Sequence, residues 1–166
     1  MTDPTDLTAA FKSCMRTLFS GVCIVTMDDG PERGGFTATS VTSLSAEPPA
    51  LLVACNASSS SGQMVARTRR FAVNVLRDDQ RDIADRFAGL GGHRGAARFQ
   101  EGLWRQNSAD SPPILSGALA WLDCEVEELL TRHSHHILIG RVTACHSHSG
   151  EPLLYGHGGY HRGVGL

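Results

Sequence analysis

The chain of 166 residues carries 15 Lys and Arg against 17 Asp and Glu, a formal net charge of −2, with 41% hydrophobic and 19% charged residues. That length supports one domain with a sizeable core, and the composition is that of an ordinary globular protein. With no basic run beyond Arg67, Arg69 and Arg70, nothing in the charge calls for a nucleic acid or an anionic membrane as partner.

The opening residues, MTDPTDLTAAF, are acidic and lack the apolar core of a signal peptide. No apolar run approaches the ~20 residues that span a bilayer. Residues 7 to 20 place Leu7, Phe11, Cys14, Met15 and Leu18 at three-to-four spacing, which predicts an amphipathic helix closed by Gly21. VCIVTM (22–27) reads as a buried strand, and the turn formers of DDGPERGG (28–35) predict a hairpin into the next one. That next strand, GGFTATSVTSLSAEPP (34–49), is expected to run until Pro48-Pro49, followed by the buried strand ALLVAC (50–55). GQMVARTRR predicts a short helix and FAVNVL (71–76) a strand. DDQRDIADRFAG (78–89) predicts a helix begun by Asp78 or Asp79, with Ile83 and Phe87 on one face and Gly89 at its end. GLGGHRGAARFQEG (89–102) is expected to be an exposed loop, and Pro112-Pro113 a turn. Residues 118–130 alternate as a half-buried strand does, with Ala118, Ala120, Leu122, Cys124 and Val126 inward. HHILIGRVTACHS (135–147) is a second long strand and PLLY (152–155) a short last one.

Six or seven strands close in sequence, with two or three helices and no regular βαβ alternation, predict a mainly β fold: an antiparallel barrel with flanking helices. No repeat or linker divides the chain, so a single domain is expected over 1–166. The five cysteines, Cys14, Cys23, Cys55, Cys124 and Cys145, are odd in number, scattered and without CxxC, each in an apolar run. Free thiols there act as small hydrophobes, and the pattern suits a reducing, cytoplasmic setting.

The stretch from 34 to 49 has strand-forming residues, yet Thr37, Thr39, Ser40, Thr42, Ser43 and Ser45 crowd it with hydroxyls. Threonine alone would suit a solvated strand. Small side chains also let a flat ligand approach the backbone, with N–H and O–H groups bonding its polar edge. Just beyond comes NASSSSG (56–62), four serines opening a helix, where free N–H groups form an anion site. The two segments offer a wall for a planar ring and a cradle for a phosphate, and a flavin nucleotide has both parts. No P-loop and no GxGxxG after a strand is present. His133 and His135, with His146 and His148, have spacing that metal ligands could use, but no carboxylate or cysteine joins them. No GxSxG marks a nucleophile, and Glu125, Glu127 and Glu128 read as a solvated strand face.

In order, GFTATSVTSLSAEPPALLVACNASSSS, RFAVNVL, DIADRFAG, HHILIGRV and PLLYGHGGYHR resemble the flavin-reductase-like, FMN-binding split-barrel family, over about residues 11–163. The family's members are NAD(P)H:flavin oxidoreductases serving two-component monooxygenases. The resemblance implies that Thr37, Ala38, Thr39 and Ser40 line the flavin ring and that Asn56, Ser58, Ser59 and Ser61 lie near its phosphate. It implies that Phe87 and Ala88 end a flavin-lining helix and that Tyr160 and His161 close the pocket. His135 keeps the histidine that places the nicotinamide, while the family's preceding Gly-Asp is His133-Ser134 here. FMN or FAD, NADH or NADPH, a homodimer and a separate oxygenase component are the implied cofactors and partners, with no resident metal. A split barrel that binds flavin without turnover is the alternative.

Overall fold

The computed structural model describes residues 4–163. In chain order it has helix α1 (Pro4–Arg16), strands β1 (Ser20–Gly21), β2 (Cys23–Asp28), β3 (Arg33–Ala38), β4 (Val41–Ala46) and β5 (Pro49–Asn56). Helix α2 (Ser60–Thr68), strand β6 (Arg70–Val75) and helix α3 (Arg81–Phe87) follow. The remaining strands are β7 (Trp104–Arg105), β8 (Ile114–Leu115), β9 (Ala120–Arg132), β10 (His135–Ser147), β11 (Leu153–Gly156) and β12 (Gly159–Arg162).

Seven strands form one antiparallel sheet in the order β3-β2-β6-β9-β10-β5-β4. Its two outermost strands, β3 and β4, are consecutive in the chain. The stretch expected to be one strand is therefore two, broken at Thr39-Ser40. One half pairs with β2 and the other with β5, which rolls the sheet into a split barrel. The interior is filled by inward residues from every wall, among them Val25, Val53, Phe71, Val73, Cys124 and Leu138, with Met64 and Val65 of α2 plugging one end. Burial of these branched and aromatic side chains is the main favourable term in the fold.

Several expectations are corrected. The first helix ends at Arg16, short of Leu18, and its apolar side chains Leu7, Phe11 and Met15 are exposed. Neither Asp78 nor Asp79 begins α3: its N-cap is Gln80, with no side-chain cap bond, while Asp78 pairs with Arg162 and Asp79 with Arg77. The glycine-rich segment is not simply an exposed loop, because Arg98 donates to the Gly35 carbonyl (2.6 Å) and Phe99 packs edge-on against Phe87 and Trp104. Trp121 and Asp123, on the outward face of β9, are buried too. A strap through Ser111, Pro112 and Pro113 into β8 covers that face. Its bonds run from Ser111 Oγ to Asp123, from Thr26 Oγ1 to the Pro113 carbonyl and from Leu115 N–H to Asn74 Oδ1. The short strands β1, β7, β8 and β12 were beyond the sequence pattern, while β11 lies where PLLY was expected.

The two free edges differ. On β3 the Gly35 carbonyl accepts from Arg98 and from the buried Ser61 hydroxyl (3.2 Å), so helix and loop groups occupy that edge. On β4 the residues Thr42, Ser43 and Leu44 are exposed.

Close packing leaves no room at Gly140, opposite a bulge of β9 at Glu127: a Cβ there would stand 2.5 Å from the buried Phe71 ring. Gly140→Ala should cost about 1–3 kcal/mol, read by chemical denaturation. All five cysteines are free. Burial pushes the Cys23 and Cys124 thiols up to about 12 and Cys55 to about 11, whereas Cys14 and Cys145, though in apolar runs, are exposed. A thiol reagent at neutral pH should therefore label two cysteines of the native protein and five after denaturation.

Candidate functional site

The break in the long strand positions the site. Along β3 the side chains alternate. Phe36 and Ala38 face the core, and Thr37 faces the other way, where its hydroxyl donates to the Ala84 carbonyl of α3 (2.6 Å). At the break Ser40 donates to the Ala54 carbonyl (2.9 Å). The Thr39 hydroxyl has no partner within the chain among the described residues.

Two cavities meet at Thr39. One, of about 440 Å³, is bounded by Thr37, Ala88, Leu90, Gly158, Gly159 and Tyr160, with Arg81 and Asp85 of α3 as its charged groups. The other, of about 600 Å³, lies between α1 (Phe11, Lys12, Met15, Arg16) and the residues Ser20, Thr39, Ser40 and Gly156. Tyr155 and Thr39 line both, so the two form one groove. The backbone at 158 favours glycine, with φ at +79°, and the Arg16 guanidinium lies against it. The approach of the end of α1 is fixed further by the His157 N–H bonding the Arg16 carbonyl (2.6 Å).

Beside Ser40, β5 ends in a turn built from its own polar groups. Asn56 Oδ1 accepts from the Ser58 N–H (2.9 Å) and hydroxyl (2.8 Å), and the Asn56 carbonyl accepts from the Ser59 hydroxyl (2.8 Å). Ser59 Oγ in turn accepts the Gly62 N–H (3.0 Å), capping α2. The N–H groups of Ser60 and Ser61, in the first turn of α2, have no partner among the described residues. These two donors, at the positive end of the helix, are what the turn offers an anion.

The other expected residues are dispersed. Ala38 and Phe87 put their side chains into packed interior, Phe87 touching Gly35 so closely that a Cβ there would lie 2.7 Å from the ring. Ala88, at the end of α3, lines the groove. His135 pairs across the ladder with Asn56, its exposed ring bonded through Nδ1 to the Ser134 hydroxyl (2.9 Å), and it lines neither cavity. His161 bonds the Gly156 carbonyl through Nε2 (3.0 Å), stacks edge-on with Phe19 and faces a neighbouring depression. The described residues contain no cluster of three or more metal-ligating side chains, so His133, His135, His146 and His148 do not converge.

Sequence reasoning missed Arg81, Asp85, Leu90 and Tyr155. The i, i+4 spacing of Arg81 and Asp85 was a visible signal that both sit on one helix face; their ion pair measures 3.5 Å. Burial, and the Asp85 carboxylate beside it, push the Tyr160 hydroxyl up to about 12. Arg81 lies over the same ring, 5.3 Å from its centroid.

Comparison with known proteins places this architecture. The model of the flavin reductase like domain family matches residues 15–163. A probable flavin reductase of Rhizobium meliloti (strain 1021) is 37% identical, over 91% of this chain but 47% of its own length, so the chain spans about half of that relative. The 4-hydroxyphenylacetate 3-monooxygenase reductase component of Salmonella typhimurium is 35% identical, over 87% of this chain and 85% of that one. An NADH:FMN oxidoreductase of Rhodococcus erythropolis is 32% identical over 92% and 80%. The solved NADH:FAD oxidoreductase of Streptomyces globisporus C-1027 superposes with a TM-score of 0.87 at 28% identity, covering 99% of this chain and 98% of that one. By its fold and by a match running nearly its whole length, the chain belongs to the flavin reductase like family.

Proposed function

We propose that the chain is an NADH-dependent flavin reductase that passes hydride from the nicotinamide to FMN or FAD and supplies reduced flavin to a separate oxygenase component. The observation that carries this reading is the match, along nearly the whole chain, to relatives named flavin reductase, NADH:FMN oxidoreductase and monooxygenase reductase component. The site agrees with it. Its donors, an unpartnered Thr39 hydroxyl and two free N–H groups at the start of α2, fit a flavin nucleotide, which needs hydrogen bonds at a ring edge and an anion site for its phosphate.

When bound, the flavin supplies the electron-accepting ring. The work left to the chain is positioning and charge stabilisation. Thr39 and Ser40 form a small polar wall at the junction of the two cavities, and the combined space admits two planar rings. Alanine at 88 and glycine at 158 and 159 keep the groove open to a ring held at reacting distance. The Thr39 hydroxyl is free to stabilise negative charge accumulating on the ring edge, whereas the Ser40 hydroxyl gives its hydrogen to the Ala54 carbonyl and contributes as a small polar wall. No general acid or base is required. His135, exposed beside the Asn56 turn, orients the nicotinamide nucleotide from that side.

The same proposal includes a homodimer, supported by the apolar α1 face left open to solvent: Leu7 is 63% and Phe11 62% exposed. It also includes a cytoplasmic location, supported by five free thiols. No helix among the described residues is long and apolar enough to cross a membrane.

The decisive assay is NADH and NADPH oxidation at 340 nm with FMN, FAD or neither. Flavin-dependent oxidation favouring NADH is the expected result, and a flavin-binding protein without turnover would overturn the reductase reading. Thr39→Leu and Ser40→Leu should each weaken flavin binding by about tenfold or more, read by fluorescence quenching. Ala38 is not the place for this test, because a larger side chain there enters the core. His135→Ala should raise the KM for NADH with flavin affinity unchanged; an unaltered KM removes the histidine from the site.

A further inference from the structure

The two halves of the groove differ in charge. The 440 Å³ cavity has Arg81 and Asp85, one of each sign, whereas the 600 Å³ cavity has Lys12 and Arg16 and no acidic residue. Lys12 and Arg16 are four residues apart on α1, so they share one face of the helix, one turn from each other. Like charges at that spacing disfavour a helix. No carboxylate relieves them: among the described residues neither takes part in an ion pair. A basic residue in the last turn of a helix complements the helix dipole, which accounts for an arginine at 16 but not for where its guanidinium lies. That group leaves α1 and rests against Gly158, which lines the other half of the groove. The Arg16 carbonyl is tied to the same hairpin by the His157 N–H (2.6 Å). One cation is therefore held at the boundary of the two cavities, and the other stands one turn further along α1.

Hydride transfer between two nucleotides brings two phosphate-bearing tails to one groove. On that reading the free N–H groups of Ser60 and Ser61 serve the flavin phosphate, and neither residue lines the cavity beneath α1. Lys12 and Arg16 are thus a second anion site, separate from the first. Two cations one turn apart suit a pyrophosphate, which carries a negative charge on each of two linked phosphates, and a guanidinium fork is shaped to bond such oxygens. Resting on the hydride-transfer reading, we infer that Lys12 and Arg16 hold the pyrophosphate of the nicotinamide dinucleotide while its ring lies at Thr39. Phe11, Met15 and Leu18, on the same wall, give the adenine at the far end an apolar surface.

The test compares NADH with reduced nicotinamide riboside, which keeps the reacting ring and its ribose but has neither pyrophosphate nor adenosine. KM values for both donors are measured with saturating FMN, which brings no pyrophosphate of its own, and again with FAD, over a range of salt concentrations. In the native protein the KM for NADH should lie about tenfold or more below that for the riboside and should rise with salt. Lys12→Gln and Arg16→Gln should each shrink the ratio of the two KM values about three- to tenfold, with the loss falling on NADH and its salt dependence flattened. Arg16→Lys, which keeps the charge, should retain the salt dependence and part of the preference. Full preference and salt dependence in both Gln variants would overturn the subsite while NADH oxidation persisted, and so would a loss falling equally on the riboside, the mark of a merely structural role. Weakened FAD affinity with the NADH preference intact, read by fluorescence quenching, would assign the pair to the flavin's own pyrophosphate and overturn the inference. Oxidation of neither donor with either flavin would remove the hydride-transfer reading, and the subsite with it.

Discussion

A strand that serves both edges of one sheet has to leave the ladder somewhere, and most of this structure follows from where it does so. Between β3 and β4 the chain gives up pairing with β2 and has not yet taken up pairing with β5. At that point backbone and hydroxyl groups are released from the regular hydrogen-bond pattern, and small residues are needed to make the bend. Thr39 is thus both a consequence of rolling the sheet and the meeting point of the two halves of the groove. The site was not added to a finished barrel; it occupies the seam by which the barrel closes.

The seam is held from behind by the carbonyl of Gly35. Two groups from distant parts of the chain, Ser61 at the start of α2 and Arg98 in the glycine-rich segment, converge on this one acceptor. Phe87 packs onto the same glycine, carrying the aromatic group of Phe99 and Trp104 with it. Because β3, α2 and α3 share this anchor, the serine turn and the groove keep a fixed relation. It also explains why Ser61 and Phe87, expected to touch ligand, lie inside: they hold the walls of the site in register.

Much of the barrel was readable because period-two alternation and turn formers are local signals. β9 carries the alternation, β2, β5, β6 and β10 carry apolar runs bounded by turn formers, and each lies where expected to within two residues. The bend at Thr39-Ser40 left no such signal, since threonine and serine suit a strand as well as a corner, and only the partner strands decide between the two. The buried outward face of β9 was unreadable for a related reason. Asp123 looks like a solvent position in the pattern, and its burial depends on a strap whose Ser111, twelve residues upstream, bonds it, and whose own sequence resembles a loop. At the start of α3 the acidic pair Asp78-Asp79 imitates a cap, but the distant Arg162 and the neighbouring Arg77 take the carboxylates instead. In the site, the hydroxyl-rich stretch and the serine turn were visible as chemistry. Asp85 and Arg81 were not, because an i, i+4 ion pair on a helix reads as solvated surface until the terminal hairpin brings Tyr160 against it.

The two margins of the sheet have been treated unequally. That of β3 is filled by side-chain and loop donors, whereas Thr42, Ser43 and Leu44 leave β4 bare, without a lysine, a proline or an inward charge to repel a neighbour. A bare, uncharged margin is a template for strand addition. Within this sheet, a strand added through backbone pairing finds its open margin at β4 and not at β3, and the bulge between Ser43 and Ser45 divides the length over which such pairing stays regular.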